Sequence, residues 1–486
     1  MSSPETITIP RAEYDKMKWQ ISHLAHQLEQ LRRMIHGAKS ERFVPTDPDQ
    51  GKLFELEAQA VEERRKQQIT YTREEPKQKK QPLRTELPSH LNRVIEVIEP
   101  QDLPQGAKKI GELVTEILEL REAELFVRRI VRPKYVVEST DEQTTIVVAE
   151  LPSLPIPKGN AGASLLASLM VSKYVDHLPF YRQRQMFKRL GIDLPESTIG
   201  GWFNAVCQLL APLYDVMRKL LPETDYVQVD EWPMPVQTQD KPGATHKGYD
   251  WVYFDPVRRW ALFDYNKSRG REGPRQMLKD FKGFLQTDGY SAYNNLKDPD
   301  DVTLLACMAH ARRKFDQAKD NDRVRADEAL TMFAGLYRIE RQASEQGLDA
   351  DARYTLRQQE AVPRLAELKD WLEKNKDQVV PKSAMGQAIQ YTLSLWPRLV
   401  RYVDQGRFEI DNNLIENTIR PLALGRKNYL FAGSHQAAQQ AAIVYSLLGT
   451  CKLNNINPQV WLNDTLTKLP DWPANRLHEL LPGYQQ

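Results

Sequence analysis

The sequence predicts a multidomain chain, helical at its N-terminus and over much of its second half, with an α/β core between. Three observations carry this. Tyr14, Met17, Ile21, Leu24, Leu28, Leu31 and Ile35 recur at spacings of three and four, the repeat of a helical seam. Tyr226-Val-Gln-Val-Asp230 and Phe284-Leu-Gln-Thr-Asp288 are short β-rich runs, each ending in an acid and followed by residues unsuited to a strand interior. Residues 316–407 show helical apolar spacing almost throughout.

The 486 residues suffice for several domains. The formal net charge is only +2, with a pI of about 8.2, so any nucleic-acid footprint has to be local. Charged residues at 27% and hydrophobic ones at 41% suit a soluble globular protein. No apolar run approaches the ~18–20 residues of a membrane span. Met-Ser-Ser-Pro-Glu at the start lacks a basic segment followed by an apolar one, so no signal peptide is read and a cytoplasmic protein without a membrane partner is expected. Cys207, Cys307 and Cys451 lie far apart, which fits reduced thiols and is too few for a four-cysteine zinc site.

Residues 10–45 are read as a coiled-coil dimerisation helix closed by Gly37; an amphipathic helix packed on its own domain is the alternative. Residues 46–88 read as a linker, polar and rich in Lys and Arg between Glu62 and Pro88. Residues 89–152 are strand-like, with Arg128, Arg129, Arg132 and Lys134 either touching phosphate or lining a solvated strand face.

After the break at Pro155-Ile-Pro-Lys-Gly159, residues 160–222 read as helix, helix, short turn at Gly191, helix. That spacing suits a helix-turn-helix, whose last helix offers Glu196, Ser197 and Thr198 to a major groove while Arg182, Arg184, Lys188 and Arg189 take phosphates. A helical bundle that only packs on the core is the other reading.

Residues 223–315 follow in the order strand, strand, strand, helix, strand, strand, with Asp230 and Asp288 at the ends of the first and fourth strands. An Asp before Gly289 is also a common turn residue. Glu231 is a substitute candidate whose side chain should face the other way. His310, Arg312, Arg313 and Lys314 begin the next helix as a basic face, or as a merely solvated one. After the all-α stretch 316–407, residues 408–450 complete the core. Asn412 or Asn413 caps a helix in which Asn413, Glu416 and Arg420 share one face and Leu414, Ile415 and Ile419 can turn to a core. A surface pair of Glu416 with Arg420 is the plain alternative to a ligand role. Arg426 and Lys427 follow as a second basic pair, and residues 451–486 form a helical tail.

Two acids at strand ends and a third on a later helix resemble the DDE triad of ribonuclease H-like transposases. More closely, Ser172-Lys-Tyr-Val-Asp-His-Leu-Pro, His310-Ala-Arg-Arg-Lys-Phe, Asp411-Asn-Asn, Leu424-Gly-Arg-Lys-Asn-Tyr-Leu-Phe-Ala-Gly-Ser434 and Asn475-Arg-Leu-His-Glu-Leu-Leu-Pro resemble the IS-sixty-six (IS66) family of bacterial transposases. The resemblance implies a ribonuclease H-like mixed-sheet core and a nucleoid-associated enzyme that cuts the terminal inverted repeats of an insertion sequence and joins the 3′ ends to target DNA. It implies Asp230, Asp288 and Glu416 as ligands of two Mg2+ ions, with Mn2+ as substitute, Asp230 bridging both. Two ions about 3.5–4 Å apart would activate the attacking oxygen and stabilise the leaving one. Expected partners are DNA, a second copy of the chain, and small accessory proteins of the same element. Many relatives carry paired cysteines in the β-module. Here 89–152 has none, so a degenerate zinc-finger-like module without structural zinc is expected. Trp232 stands where relatives commonly have Thr. A catalytically silent DNA-binding relative and a same-fold nuclease on branched DNA are the competing functions.

Overall fold

The computed structural model describes residues 127, 128, 130, 134–138, 144–148, 152–157, 159–238, 243–294 and 301–484. The expected coiled coil and linker lie outside them, as does most of the β-module. Of that module, β1 (Lys134–Glu138) pairs antiparallel with β2 (Thr144–Val148), Val136 opposite Ile146. This hairpin belongs to one compact unit; the chain from Pro152 onward forms another.

In the second unit α1 (Ala163–Tyr174), α2 (Phe180–Arg189) and α3 (Glu196–Leu220) precede a five-stranded sheet. Its strands are β3 (Tyr226–Gln237), β4 (Thr245–Asp255), β5 (Trp260–Asn266), β6 (Gly283–Thr287) and β7 (Val302–Ala306). The short helix α4 (Glu272–Met277) joins β5 to β6. This is the expected element order, and the spatial order is β5-β4-β3-β6-β7. β3 to β5 are mutually antiparallel, while β6 and β7 run parallel to β3.

β3 departs from expectation. It does not stop at Asp230 but continues through Pro233 and Pro235, its whole length past Gln228 paired with β4. Proline is tolerated where its missing N–H faces no partner strand. β6 covers only Tyr226 to Gln228, so the other side of β3 is open beyond that. Both prolines turn their backbone that way: the Pro233 carbonyl accepts from Arg426 Nη1 at 3.3 Å and that of Pro235 from Ala432 N–H at 2.9 Å.

Helices α5 (Met308–Gln317), α6 (Arg323–Glu345), α7 (Ala350–Leu356), α8 (Val362–Lys376) and α9 (Ala384–Leu399) follow β7, with a π-helical turn from Arg357 to Ala361. α10 (Asn413–Tyr429) returns to the sheet, and α11 (His435–Leu453) and α12 (Pro458–Lys468) close the chain. α11 lies along the edge strand β5. Ser446 and Thr450, one helical turn apart, accept from the N–H groups of Phe263 (2.8 Å) and Ala261 (3.1 Å), two residues apart on the strand. That covers an edge otherwise open to pairing.

One apolar cluster unites α1, α3, both ends of β3, β4, β5, α10 and α11. A second joins β7 and α5 to the helices that follow. α3 buries Trp202, Phe203, Val206, Leu210, Leu213 and Met217 in the first cluster. Its outer face, from Glu196 and Ser197 at the N-terminal tip through Asn204, Gln208 and Asp215, is exposed, and Thr198 is half-buried. In α10 the buried stripe is Ile415, Thr418, Ile419 and Leu422. Leu414, expected to turn inward, is 41% exposed because it lies about 100° around the helix from Ile415.

Candidate active site

The sheet register brings two acids together. β3 and β6 are parallel neighbours with Gln228 opposite Gln286, and Asp230 and Asp288 each lie two residues further on. Side chains two apart along a strand share a face, so Asp230 continues the Gln228 face of β3, while Asp288 directly follows the last residue of β6.

The same glutamines dock the third acid. Gln228 Nε2 donates to Gln286 Oε1 (2.9 Å) and to the Asp411 carbonyl (3.2 Å), and Gln286 Nε2 donates to the Glu409 carbonyl (2.8 Å). Tyr226 Oη accepts from Glu409 N–H at 3.1 Å. These buried bonds fix the chain just before α10, and Glu416 sits in the first turn. Asn412 takes the N-cap position as expected, but its side chain makes no capping bond. Asp411 instead accepts from Asn413 N–H (2.9 Å) and Asn413 Nδ2 (2.8 Å). Asn412 is 0% exposed, and neither its Oδ1 nor its Nδ2 finds a protein partner.

Burial, then the charges of Glu231, Asp288 and Glu416, push the Asp230 carboxyl well above the usual carboxylate range. Asp288 and Glu416 therefore both lie within electrostatic reach of Asp230. Burial also raises Glu416, which Arg313 partly offsets from 3.8 Å; the surface pairing considered for Glu416 thus has its partner on α5. Asp288 accepts from Tyr290 N–H at 2.8 Å, the turn role open to it, and its carbonyl accepts from Tyr391 Oη at 2.7 Å. Gly289 has φ +92°, and a Cβ there would stand 2.7 Å from Leu395, so the turn demands glycine.

Glu231 points away from Asp230 to Arg269, whose Nε donates at 2.7 Å, and to Tyr293 Oη at 3.0 Å. Arg269 also lies over the Tyr290 ring, 3.9 Å from its centroid. Glu231 is nonetheless the charge that acts most strongly on Asp230, and Asp288 in turn raises Glu231 after burial. Arg269 and Tyr293 carry no motif signal; only the fold delivers them.

His310 on α5 is half-buried with Nδ1 unpartnered, and burial, then Arg313, lowers its pKa to about 4, against the pull of Asp288. Arg313 and Lys314 are exposed, Lys314 Nζ lying 5.6 Å from the Tyr391 ring, and Arg312 is half-buried. On α10, Arg420 and Arg426 are half-buried and Lys427 exposed. Arg182 on α2 is exposed and donates to Asn428 Oδ1 at 3.3 Å, so α2 meets the end of α10. Arg184 pairs with Asp193 at 3.3 Å.

Among the described residues no three of His, Cys, Asp and Glu are close enough to cage an ion by themselves. The donor set still suits a hard divalent cation. It is all oxygen, strongly desolvated and repulsive without a counter-charge, and Mg2+ binds through one or two carboxylates while keeping waters. The three cysteines are buried free thiols. No helix among the described residues is long and apolar enough to cross a membrane.

The family described as "Transposase IS66 family" matches residues 158–440, and the "IS66 C-terminal element" matches 446–482. A third, "Transposase C of IS166 homeodomain", matches 23–95 and so overlies the end of the seam, the linker and the first residues of the β-module. Two full-length relatives come from Sinorhizobium fredii (strain NBRC 101917 / NGR234), both named only as uncharacterized proteins. One, y4jD, is 31% identical, covering 97% of this chain and 96% of its own length. The other, y4qI, is 33% identical, covering 95% and 88%. With one family model over residues 158–440, another over 446–482 and relatives matched over nearly its full length, the chain belongs to the IS66 family of transposases.

Proposed function

We propose that this chain is a DDE transposase on a ribonuclease H-like core, with Asp230, Asp288 and Glu416 as its catalytic carboxylates. The observation that carries the reading is the Gln228–Gln286 register, together with the bonds from those side chains to Asp411 and Glu409. It supports two acids side by side on neighbouring strands and a third on a helix docked over them. These acids would hold Mg2+, or Mn2+ in its place, which when bound would activate a water or a DNA 3′-hydroxyl and stabilise the leaving oxygen. The chain's own groups would position the DNA. Arg313 lies between the acids and solvent, where a phosphate can draw it from Glu416. Lys314 and Arg312 extend that cationic face, and neutral His310 can accept or donate a hydrogen bond without adding charge. Arg420, Arg426 and Lys427 on α10, and Arg182 and Arg184 on α2, would track the backbone further from the cut. Ser197 and Thr198 stand at the accessible tip of α3, consistent with groove contact.

The test is strand cleavage of the inverted end flanking this gene, with Mg2+ or Mn2+. Asp230→Ala, Asp288→Ala and Glu416→Gln should each abolish cutting while leaving end binding largely intact. Cutting that persists in any one of them reassigns that ligand. Loss of binding together with cutting would point to a structural role instead.

A further inference from the structure

Beyond α10 the chain forms a tip that packing does not explain. Leu430 has φ +62° and ψ −45°, a backbone that bulky L-residues rarely adopt. Phe431 N–H donates to the Tyr429 carbonyl at 2.6 Å. A hydrogen bond spanning one residue of that conformation is a γ-turn of the rare, strained hand. Such strain persists only where the surroundings over-determine it, and it gathers at functional sites.

The surroundings here do over-determine it. Before the turn, Arg426 donates to the Pro233 carbonyl, and the Tyr429 hydroxyl is bonded to that of Tyr445. After it, Ala432 donates to the Pro235 carbonyl at 2.9 Å and accepts from Gln237 N–H at 2.8 Å. Both stems are clipped to the open side of β3 or to α11, and the turn between them projects. Leu430 is 63% exposed and Phe431 39%.

Two large apolar side chains held rigidly at the surface need a partner with an apolar interior. Lys427 is exposed beside them, and Arg182 is tied to Asn428 with the half-exposed Tyr181 ring alongside. An apolar point with cations on the preceding turn of α10 and on α2 complements one macromolecule in particular: duplex DNA, polyanionic outside and stacked inside. We infer that Leu430 and Phe431 form a wedge that enters between base pairs of bound DNA and unstacks them near the acids. This rests on the transposase reading above. The stem is clipped to β3 from Pro233 to Gln237. At ~3.3 Å per residue that is roughly 10–23 Å beyond Asp230, or about three to seven base steps.

The experiment uses the full chain and a duplex of the inverted end flanking this gene, without divalent ions so that no strand is cut. 2-Aminopurine is placed at one terminal position at a time. Binding should raise its fluorescence severalfold at one or two adjacent positions. Phe431→Ala should return that signal to the free-duplex level and weaken binding about five- to hundredfold, the range for loss of one stacked aromatic. Phe431→Tyr should restore both. Leu430→Gly, which removes the side chain and relieves the turn, should blunt the signal. Unchanged unfolding curves would confirm that these exposed positions leave the fold intact. If the duplex binds but no position brightens, or the signal survives Phe431→Ala and Leu430→Gly, the wedge is wrong and the transposase reading stands. If the end binds no better than an unrelated duplex, both fall.

Discussion

Two groups of buried charge flank the segment that leads into α10, and they are built on opposite principles. In the helical layer Arg357 is fully buried and wholly satisfied. It pairs with Glu340 (2.8 and 2.7 Å) and donates to the carbonyls of Tyr402, Gln405 and Phe408 at 2.8 Å each. Arg353 joins Glu340 to Glu409. Burial works against the Glu340 charge, but bonds to Arg357 and then the other arginine contacts outweigh it and hold the carboxyl below its usual range. At the sheet, burial and mutual repulsion drive Asp230 the other way. The first group is complete and holds a backbone segment in place; the second is short of positive charge. Buried acids alone say little about function; a cluster of them whose carboxyls are raised by burial and by one another is a candidate functional site.

Three substitutions would break or sharpen that contrast. The largest effect on stability is expected from Arg357→Met, which leaves three carbonyls unmet and Glu340 with Arg353 as its remaining partner. It should destabilise the fold by about 3–5 kcal/mol in denaturant unfolding. A loss under 1 kcal/mol would mean the network is not structural.

Asp250 is next. Burial, then the charge of Asp264, pushes its carboxyl up to about 8. Its folded-state value lies above the unfolded one. The native state is therefore favoured while both are protonated, below about pH 4, and loses stability as pH rises towards 8. Asp250→Asn should remove that loss. The gain in stability should be near zero at pH 4 and grow to a few kcal/mol by pH 8, at about 1.4 kcal/mol per pH unit at most. Equal gains at both pH values would refute the assignment. Divalent-ion binding should not change, since this acid is no part of the triad proposed here.

The smallest effect is expected at Asp230. Asp230→Asn should stabilise the ion-free protein by about 1–2 kcal/mol, as relief of a strained functional site does, and should weaken Mn2+ binding in calorimetry. A destabilised variant would place Asp230 with Arg357 among charges that hold the structure together.

Much of this was legible in the residues. The alternation around Asp230 and Asp288, the intervening helix and the helical spacing from 316 to 407 follow from local periodicity, and the structure has those elements in that order. The extent of β3 was not legible, because whether Pro233 and Pro235 end a strand depends on what lies beside them. Nor was the bond that holds the start of α10, which comes from Asp411 and not from the Asn412 side chain at the N-cap position. Arg313 as partner of Glu416, and Arg269 and Tyr293 beside Glu231, come from elements distant in sequence. The γ-turn at Leu430 carried no glycine to announce it.

Sequence alone determined which segments are helix or strand, which residues could bear charge, and the family to which the motifs point, since these depend on side-chain chemistry and short-range spacing. Only tertiary structure decided that Gln228 lies opposite Gln286, that both reach the backbone before Glu416, and that one set of buried charges is neutralised while the other is not. Register and desolvation arise between segments far apart along the chain, and no local pattern encodes them.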